Sequence, residues 1–252
     1  MKYSKENCEG RKMYDGHWKD DVINGLGFME WLDENPYKVH TYQGNFKNNM
    51  ENGWGLMVWK NNDIYNGSFL NGTAHGNGTF IFSDGSYNGE FNNGNMNGLG
   101  KMVWLNGDSY SGNFIKNRLH GKGTFEWANG SVYKGMFTNG KMTGYGTFTW
   151  PEGDSYSGYF DDGVFTGLGS ATIAWENGDK YFGEIFNWKI NGTGTFTWDN
   201  GSIYEGSFHN ETLSGCGKFT NVDGIVQEGK FCDGCFNFEK TMKDETRNKV
   251  RV

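Results

Sequence analysis

The chain has 252 residues, of which 35% are hydrophobic and 41 are glycine, and its 23 basic and 30 acidic residues leave a net charge of −7. This composition holds too little aliphatic bulk for a thick core, and no stretch concentrates Lys or Arg, which excludes nucleic acid as a partner because phosphate neutralisation needs a clustered basic face. No run approaches the length of a membrane span and Met1 to Arg11 is polar, without the apolar region of a secretory signal, so the expected setting is cytoplasmic.

After an N-terminal segment, 1–13, a 17-residue frame takes over. It reads Tyr, Gly two residues on, an aromatic two beyond, a six-residue polar link, then Gly-x-Gly-x-apolar-x-aromatic. One copy runs Tyr133, Gly135, Phe137, Gly144, Gly146, Phe148, Trp150. Starts fall at Tyr14, Tyr42, Tyr65, Tyr87, Tyr110, Tyr133, Tyr156, Tyr181 and Tyr204, with a worn tenth at Gln227, Gly229 and Phe231. A 23-residue period marks a stacked repeat array over 14–235, in which fold and function are properties of the repeat. Three spacings depart from it: a long connection from Leu32 to Thr41 around Pro36, a repeat one residue short after Asp84-Gly85, and two residues inserted before Trp175, around Ala171 and Thr172. Residues 236–252 leave the pattern. From Glu239 onward they hold five basic and three acidic residues and no glycine, which predicts a short helix capping the last strand.

Within each half of the frame the signature residues alternate, so they share one face of a strand, and the even-numbered link keeps both strands' signature faces together. Each repeat is therefore read as a β-hairpin, and successive hairpins as one antiparallel sheet. Glycine facing a ring leaves room for the ring to lie over the backbone, so Trp127 opposite Tyr133, Phe125 opposite Gly135 and Gly123 opposite Phe137 is the expected register. Turn glycines such as Gly107, Gly130, Gly153 and Gly201 supply positive φ. About eighteen strands at about 4.8 Å give a ribbon on the order of 85 Å long, and the natural strand twist curls it into a trough.

These residues resemble the MORN repeat family, whose consensus is Tyr-x-Gly-x-aromatic followed by Gly-x-Gly-x-aromatic-x-aromatic. Ile185 replaces the second aromatic of repeat eight, Asn221 the closing aromatic of repeat nine and Gln227 the tenth Tyr. The resemblance implies an all-β protein: an elongated single-layer antiparallel sheet of about nine to ten consecutive hairpins forming a twisted trough.

On the opposite face, mostly short and polar, an early apolar patch stands out: Leu26, Phe28, Trp54, Leu56, Val58, Ile81, Leu99 and Val103. It reads either as a second contact site or as surface covered by the N-terminal segment or by Asn35 to His40. An apolar residue precedes most Gly-x-Gly strands, at Ile23, Ala74, Met96, Leu119, Met142, Phe165, Ile190 and Leu213, with Glu51 breaking the series; it is expected to fold each link against the sheet edge. Cys232-x-x-Cys235 lacks a second pair of metal-ligand spacing, and with Cys8 and Cys216 it reads as reduced thiol. The Gly-x-Gly runs belong to hairpins with no following helix, so they form no phosphate site. The five histidines are scattered singly and no catalytic constellation recurs. No enzyme activity, cofactor or metal is expected.

The leading functional expectation is a non-catalytic scaffold that takes a segment of a protein partner in its trough. Its floor would be Tyr42, Phe46, Tyr65, Phe69, Tyr87, Phe91, Tyr110, Phe114, Tyr133, Phe137, Tyr156 and Phe160, flat anchors of low conformational cost. Acidic rims favour a basic segment in that partner, and an unpaired end strand offers a route to a homodimer. The resemblance implies a cytoskeletal setting such as the cilium. Attachment to phosphoinositide membranes is the alternative, opposed by the net charge, with positive charge gathered only in Lys240, Lys243, Arg247, Lys249 and Arg251. A regulatory subunit of a separate enzyme is a further alternative.

Overall fold

The computed structural model describes residues 12–31, 39–166, 169–186, 189–232 and 235–237. The N-terminal cover, most of the long first connection and the expected capping helix lie outside these residues. All the regular structure described is strand, in two units, 1–128 and 129–252. The first holds β1 (Lys12–Lys19), β2 (Val22–Trp31), β3 (Val39–Lys47), β4 (Met50–Trp59), β5 (Ile64–Leu70), β6 (Thr73–Phe82), β7 (Gly85–Asn92), β8 (Asn95–Trp104), β9 (Ser109–Ile115) and β10 (Arg118–Glu126). Each pairs antiparallel with the next in chain order. The second holds β11 (Val132–Thr138), β12 (Lys141–Thr149), β13 (Ser155–Asp161), β14 (Val164–Phe165), β15 (Ser170–Ala174), β16 (Lys180–Phe186), β17 (Lys189–Thr197), β18 (Ile203–His209), β19 (Thr212–Thr220), β20 (Val226–Cys232) and β21 (Cys235–Asn237). Here too the ladder is antiparallel and sequential, except that β13 pairs with both β14 and β15.

One hairpin, β11–β12, shows why the frame takes this form. Gly135 pairs with Gly146, and the Tyr133 ring lies flat across both: a Cβ added at either would stand 2.3 or 2.4 Å from the Tyr133 hydroxyl oxygen. The hydroxyl donates to the carbonyl of Met136 at 3.2 Å. Equivalent i to i+3 bonds run from Tyr14, Tyr42, Tyr65, Tyr87, Tyr110, Tyr181 and Tyr204, at 2.8–3.1 Å. Two glycines of the frame therefore exist to make room for a ring. The other, Gly144, has φ +60° and sits where the register slips between Gly135 and Met136, a bulge that recurs in every hairpin except the irregular seventh and the last. Its role is conformational.

The expected register is corrected by two residues. In the ladders between repeats within each unit, the apolar residue of the second strand faces the next tyrosine, as Phe80 faces Tyr87 and Phe148 faces Tyr156, and glycine faces glycine, save that Ala171 faces Gly183 and Phe219 faces Gln227. Ring coverage of glycine is as expected; the covered glycine lies two residues along the tyrosine's own strand, together with its partner. The six-residue link is also mostly strand. Only Asn139-Gly140 turns, both with positive φ, and Phe137 faces Met142 across the ladder. The apolar series is thus the cross-strand partner of the second aromatic, with Leu119 opposite Phe114 and Leu213 opposite Phe208.

The rings build a core within one layer. Tyr42 meets Phe46 of its own hairpin and Phe69 of the next, both edge to face at 4.9 and 5.1 Å. Tyr65 repeats this with Phe69 and Phe91, and Tyr87 with Phe91 and Phe114, so tyrosine and phenylalanine alternate in a row through the first unit. Backbone bonds also tie neighbouring hairpin turns together, as in Gly72 N–H to Glu51 O at 2.9 Å and Gly94 N–H to Ala74 O at 2.9 Å.

The seventh repeat departs from this plan. Its extra residues are not Ala171 and Thr172, which stand in the ladder paired with Gly183 and Phe182. Ala171 thereby occupies the slot in which other repeats keep the second ring-covered glycine. Tyr156 still covers Gly158 and also packs against Phe165, with ring centroids 3.8 Å apart.

Two stability changes follow. Gly135→Ala should lower unfolding free energy by about 1–3 kcal/mol, because its methyl group must displace the Tyr133 ring. Lys116, which holds φ +48° in the β9–β10 turn where other repeats place Asn or Asp, should gain about 0.5–1 kcal/mol on Lys116→Asn. Urea denaturation followed by circular dichroism measures both, and an unchanged midpoint for Gly135→Ala contradicts the ring-over-glycine account.

Candidate partner-binding grooves

The twelve aromatics expected to floor a trough all lie in the ring row, and each is buried, at most 6% exposed. They present almost no surface for a partner to touch directly; they are the support beneath whatever surface is offered. Burial also governs their chemistry. It pushes the hydroxyls of Tyr65, Tyr87, Tyr110, Tyr133 and Tyr204 up to about 12, and raises Tyr14, Tyr42, Tyr156 and Tyr181 as well, with the Glu51 charge adding to the effect at Tyr42 and Glu184 to that at Tyr181.

Above the row, the accessible ring face consists of the closing tryptophans and the apolar residues that precede them. In the first unit these border a groove of about 850 Å³, lined by Trp31, Met57, Trp59, Phe80 and Met96 and closed at one side by successive hairpin turns at Gly72, Gly94 and Asn117. Trp59 meets Phe80 edge to face at 5.7 Å, and both stay half-buried. Glu51 lines the same groove. Of the twelve expected site residues, only Tyr65, Phe69 and Phe91 reach its wall. The second unit has a smaller groove of about 500 Å³ between Trp150 and Trp175, with Phe165 and Ile190 and the acids Glu152, Asp154 and Glu211. The Asp154 carboxylate accepts the Glu176 N–H at 2.9 Å, so at least this acid serves the turn.

The opposite face carries the early apolar patch as expected. Leu26, Trp54 and Leu99 are 56–60% exposed, and Leu26, Phe28, Trp54 and Leu56 border a shallow depression of about 600 Å³. Polar Gln43 and Asn45 on β3 divide it. In the second unit Tyr145 and Tyr159 face each other across β12–β13, with ring centroids 5.7 Å apart, and both remain exposed. The frame alone did not reveal the first groove, because it arises where the closing positions of the frame, such as Trp59 and Phe80, meet the turns of three consecutive repeats at Gly72, Gly94 and Asn117.

The fold defines a class, a repeat protein of consecutive antiparallel hairpins. The chain belongs to the MORN repeat family: the model of the MORN repeat matches residues 14–35, 42–64, 65–87, 87–109, 110–132, 133–155, 181–203 and 204–226. It passes over the repeat at Tyr156, the one with Ala171 in a glycine slot. No curated protein matches the chain. Among solved structures, the TCP domain of Drosophila melanogaster SAS-4 in complex with a proline-rich motif of Ana2 is 11% identical, with 71% of this chain and 85% of that one covered and a TM-score of 0.38. The TCP10 domain of Danio rerio CPAP in complex with a STIL peptide is 9% identical, with 83% and 97% covered and a TM-score of 0.42. At these scores the likeness has no bearing on function.

The raised tyrosines make stability depend on alkaline pH. In the unfolded chain they titrate near 10.0, while in the fold they hold their protons to about 12, so their contribution is complete below about pH 10 and is lost as pH rises through the folded values. Urea midpoints should be level from about pH 7 to 9 and fall steeply between about pH 10 and 12, with tyrosinate absorbance rising in the same interval. A midpoint that stays level to about pH 11.5 is inconsistent with a tyrosine-sealed core.

Proposed function

We propose that this MORN repeat protein is a non-catalytic scaffold that seats an apolar segment of a partner protein in the groove of its first unit. The observation that carries this reading is the groove itself, about 850 Å³ lined mainly by hydrocarbon and indole, with Trp59 and Phe80 half-buried above the ring row. A concave apolar surface on a pre-organised support binds at low ordering cost, and tryptophan is among the residues most often found to anchor such contacts. The buried aromatics of the first unit, from Tyr42 to Phe114, act in this proposal by holding the groove wall in place. The cytoskeletal setting that the family resemblance implies is part of the same proposal.

β4 provides its own control, since Trp59 lies on the groove face and Trp54 on the other. A partner recovered by affinity capture should be identified, purified and titrated by calorimetry. Trp59→Ala is expected to weaken binding at least about tenfold and Trp54→Ala less than about twofold, both variants keeping the parent circular dichroism. Loss with Trp54→Ala and retention with Trp59→Ala moves the contact to the opposite face and overturns the groove assignment.

A further inference from the structure

We propose that the groove of the second unit is a separate site, selective for a partner segment in which Lys or Arg flanks an apolar stretch on both sides. This does not rest on the reading of the first groove. The floor is formed by Phe165, Ile185 and Ile190, all buried, with Trp150, Ile173 and Trp175 half-buried beside them. The lining holds three acids and no base. Glu152 lies in the turn between β12 and β13 and Glu211 in the turn between β18 and β19; in a sequential antiparallel ladder those turns fall on opposite edges of the sheet. The groove therefore has an acid at each end. Asp154, the third, is already engaged by the Glu176 N–H at 2.9 Å, so selection falls to Glu152 and Glu211.

Glu211 is not the residue its turn calls for. The same place is Gly, Asn or Asp in every other repeat whose turn is described, always with positive φ, and Glu211 holds φ +67°. A left-handed backbone is costly for Glu, which has neither glycine's freedom nor the short polar side chain of Asn and Asp. Asn49 and Asn117 also tie their turns down, their side-chain oxygens accepting the N–H of Ile23 at 2.8 Å and of Met96 at 2.7 Å. Glu211 keeps the backbone part of that tie, donating its N–H to the Ile190 carbonyl at 3.0 Å, but its carboxylate has no hydrogen bond or ion pair among the described residues. The same is true of the Glu152 carboxylate, and both residues are exposed. A cation at each edge of the groove meets these two charges, while Trp150 and Trp175 offer indole faces to the methylene stems of Lys or Arg. Exposed pairs are individually weak, so discrimination comes from two of them acting with the apolar floor between.

The test is selection of a random-peptide phage library on the full chain carrying Trp59→Ala, which silences the first groove, with depletion on the same chain carrying Glu152→Gln and Glu211→Asn as well. The expected peptides carry Lys or Arg on both sides of an aliphatic or aromatic core. In calorimetric titration at low salt, each acid replaced singly should weaken binding about two- to fivefold and the pair about tenfold. Replacing both peptide cations by norleucine should weaken binding to the bait about tenfold, and to the doubly substituted chain less than about twofold. Glu211→Asn should at the same time raise the urea midpoint, since it restores a residue the turn uses elsewhere, so weaker binding by this variant is not unfolding. The proposal is overturned if no peptide distinguishes the two chains, if the enriched peptides lack cations, or if norleucine costs the same on both. It is equally overturned if a peptide with its core replaced by serine binds undiminished, which reduces the site to a charged rim.

Discussion

A tyrosine ring laid over two paired glycines is the constraint from which the rest of this structure follows. A single sheet has no second layer to cover its apolar side chains, so each must be covered by residues in the plane of the sheet. Removing two side chains beside the tyrosine lets its ring drop onto the backbone, where its hydroxyl finds a carbonyl three residues ahead, as Tyr87 does with Glu90 at 2.9 Å. The phenylalanines of its own and the following hairpin then close its edges. The glycines cost backbone entropy and provide no apolar area; what offsets that is the complete burial of a large aromatic at each repeat, Tyr87 being 0% exposed. Because each tyrosine touches only adjacent hairpins, stability accumulates repeat by repeat rather than through one central core.

Much of this was legible from spacing alone. Alternation of Tyr133, Gly135 and Phe137 gives strand and face, and recurrence gives the antiparallel series of hairpins. Register was less accessible, because alternation is unchanged by a shift of two, and the deciding interaction joins a tyrosine to a glycine on its own strand rather than to one directly opposite. The bulge at Gly144 was hidden for a related reason: in the sequence Gly144 and Gly146 look alike, yet one needs positive φ and the other needs empty space. The inserted residues of the seventh repeat were misplaced because Gly167 and Gly169 satisfy the frame by count, whereas the ladder places Ala171 opposite Gly183.

The expected binding floor was the part least visible in the sequence. Aromatics at a fixed spacing can be either an anchor row or a core, and composition does not distinguish them. Burial does, and it transfers the candidate surface outward to the closing residues, where Trp59 and Phe80 keep part of their area in solvent. A rigid row beneath a partly exposed one is a useful division. The lower rings fix the wall, and the upper ones lose little further freedom when a segment docks against them.

The same division limits where recognition can vary. A residue in the tyrosine slot or in either ring-covered glycine slot cannot change without disturbing its neighbours, and the seventh repeat shows the consequence: with Ala171 in a glycine slot, Tyr156 also packs against Phe165 and the strand that follows is split into β14 and β15. The slot opposite the second aromatic is freer. It accepts Ala, Leu, Met, Ile and Phe in different repeats, and with Glu51 it accepts a charge while β3 and β4 remain paired from Val39–Trp59 to Lys47–Met50. Being tolerant of side-chain chemistry and set beside the exposed ring face, it is the position at which one repeat can acquire a preference for a partner without loss of the sheet.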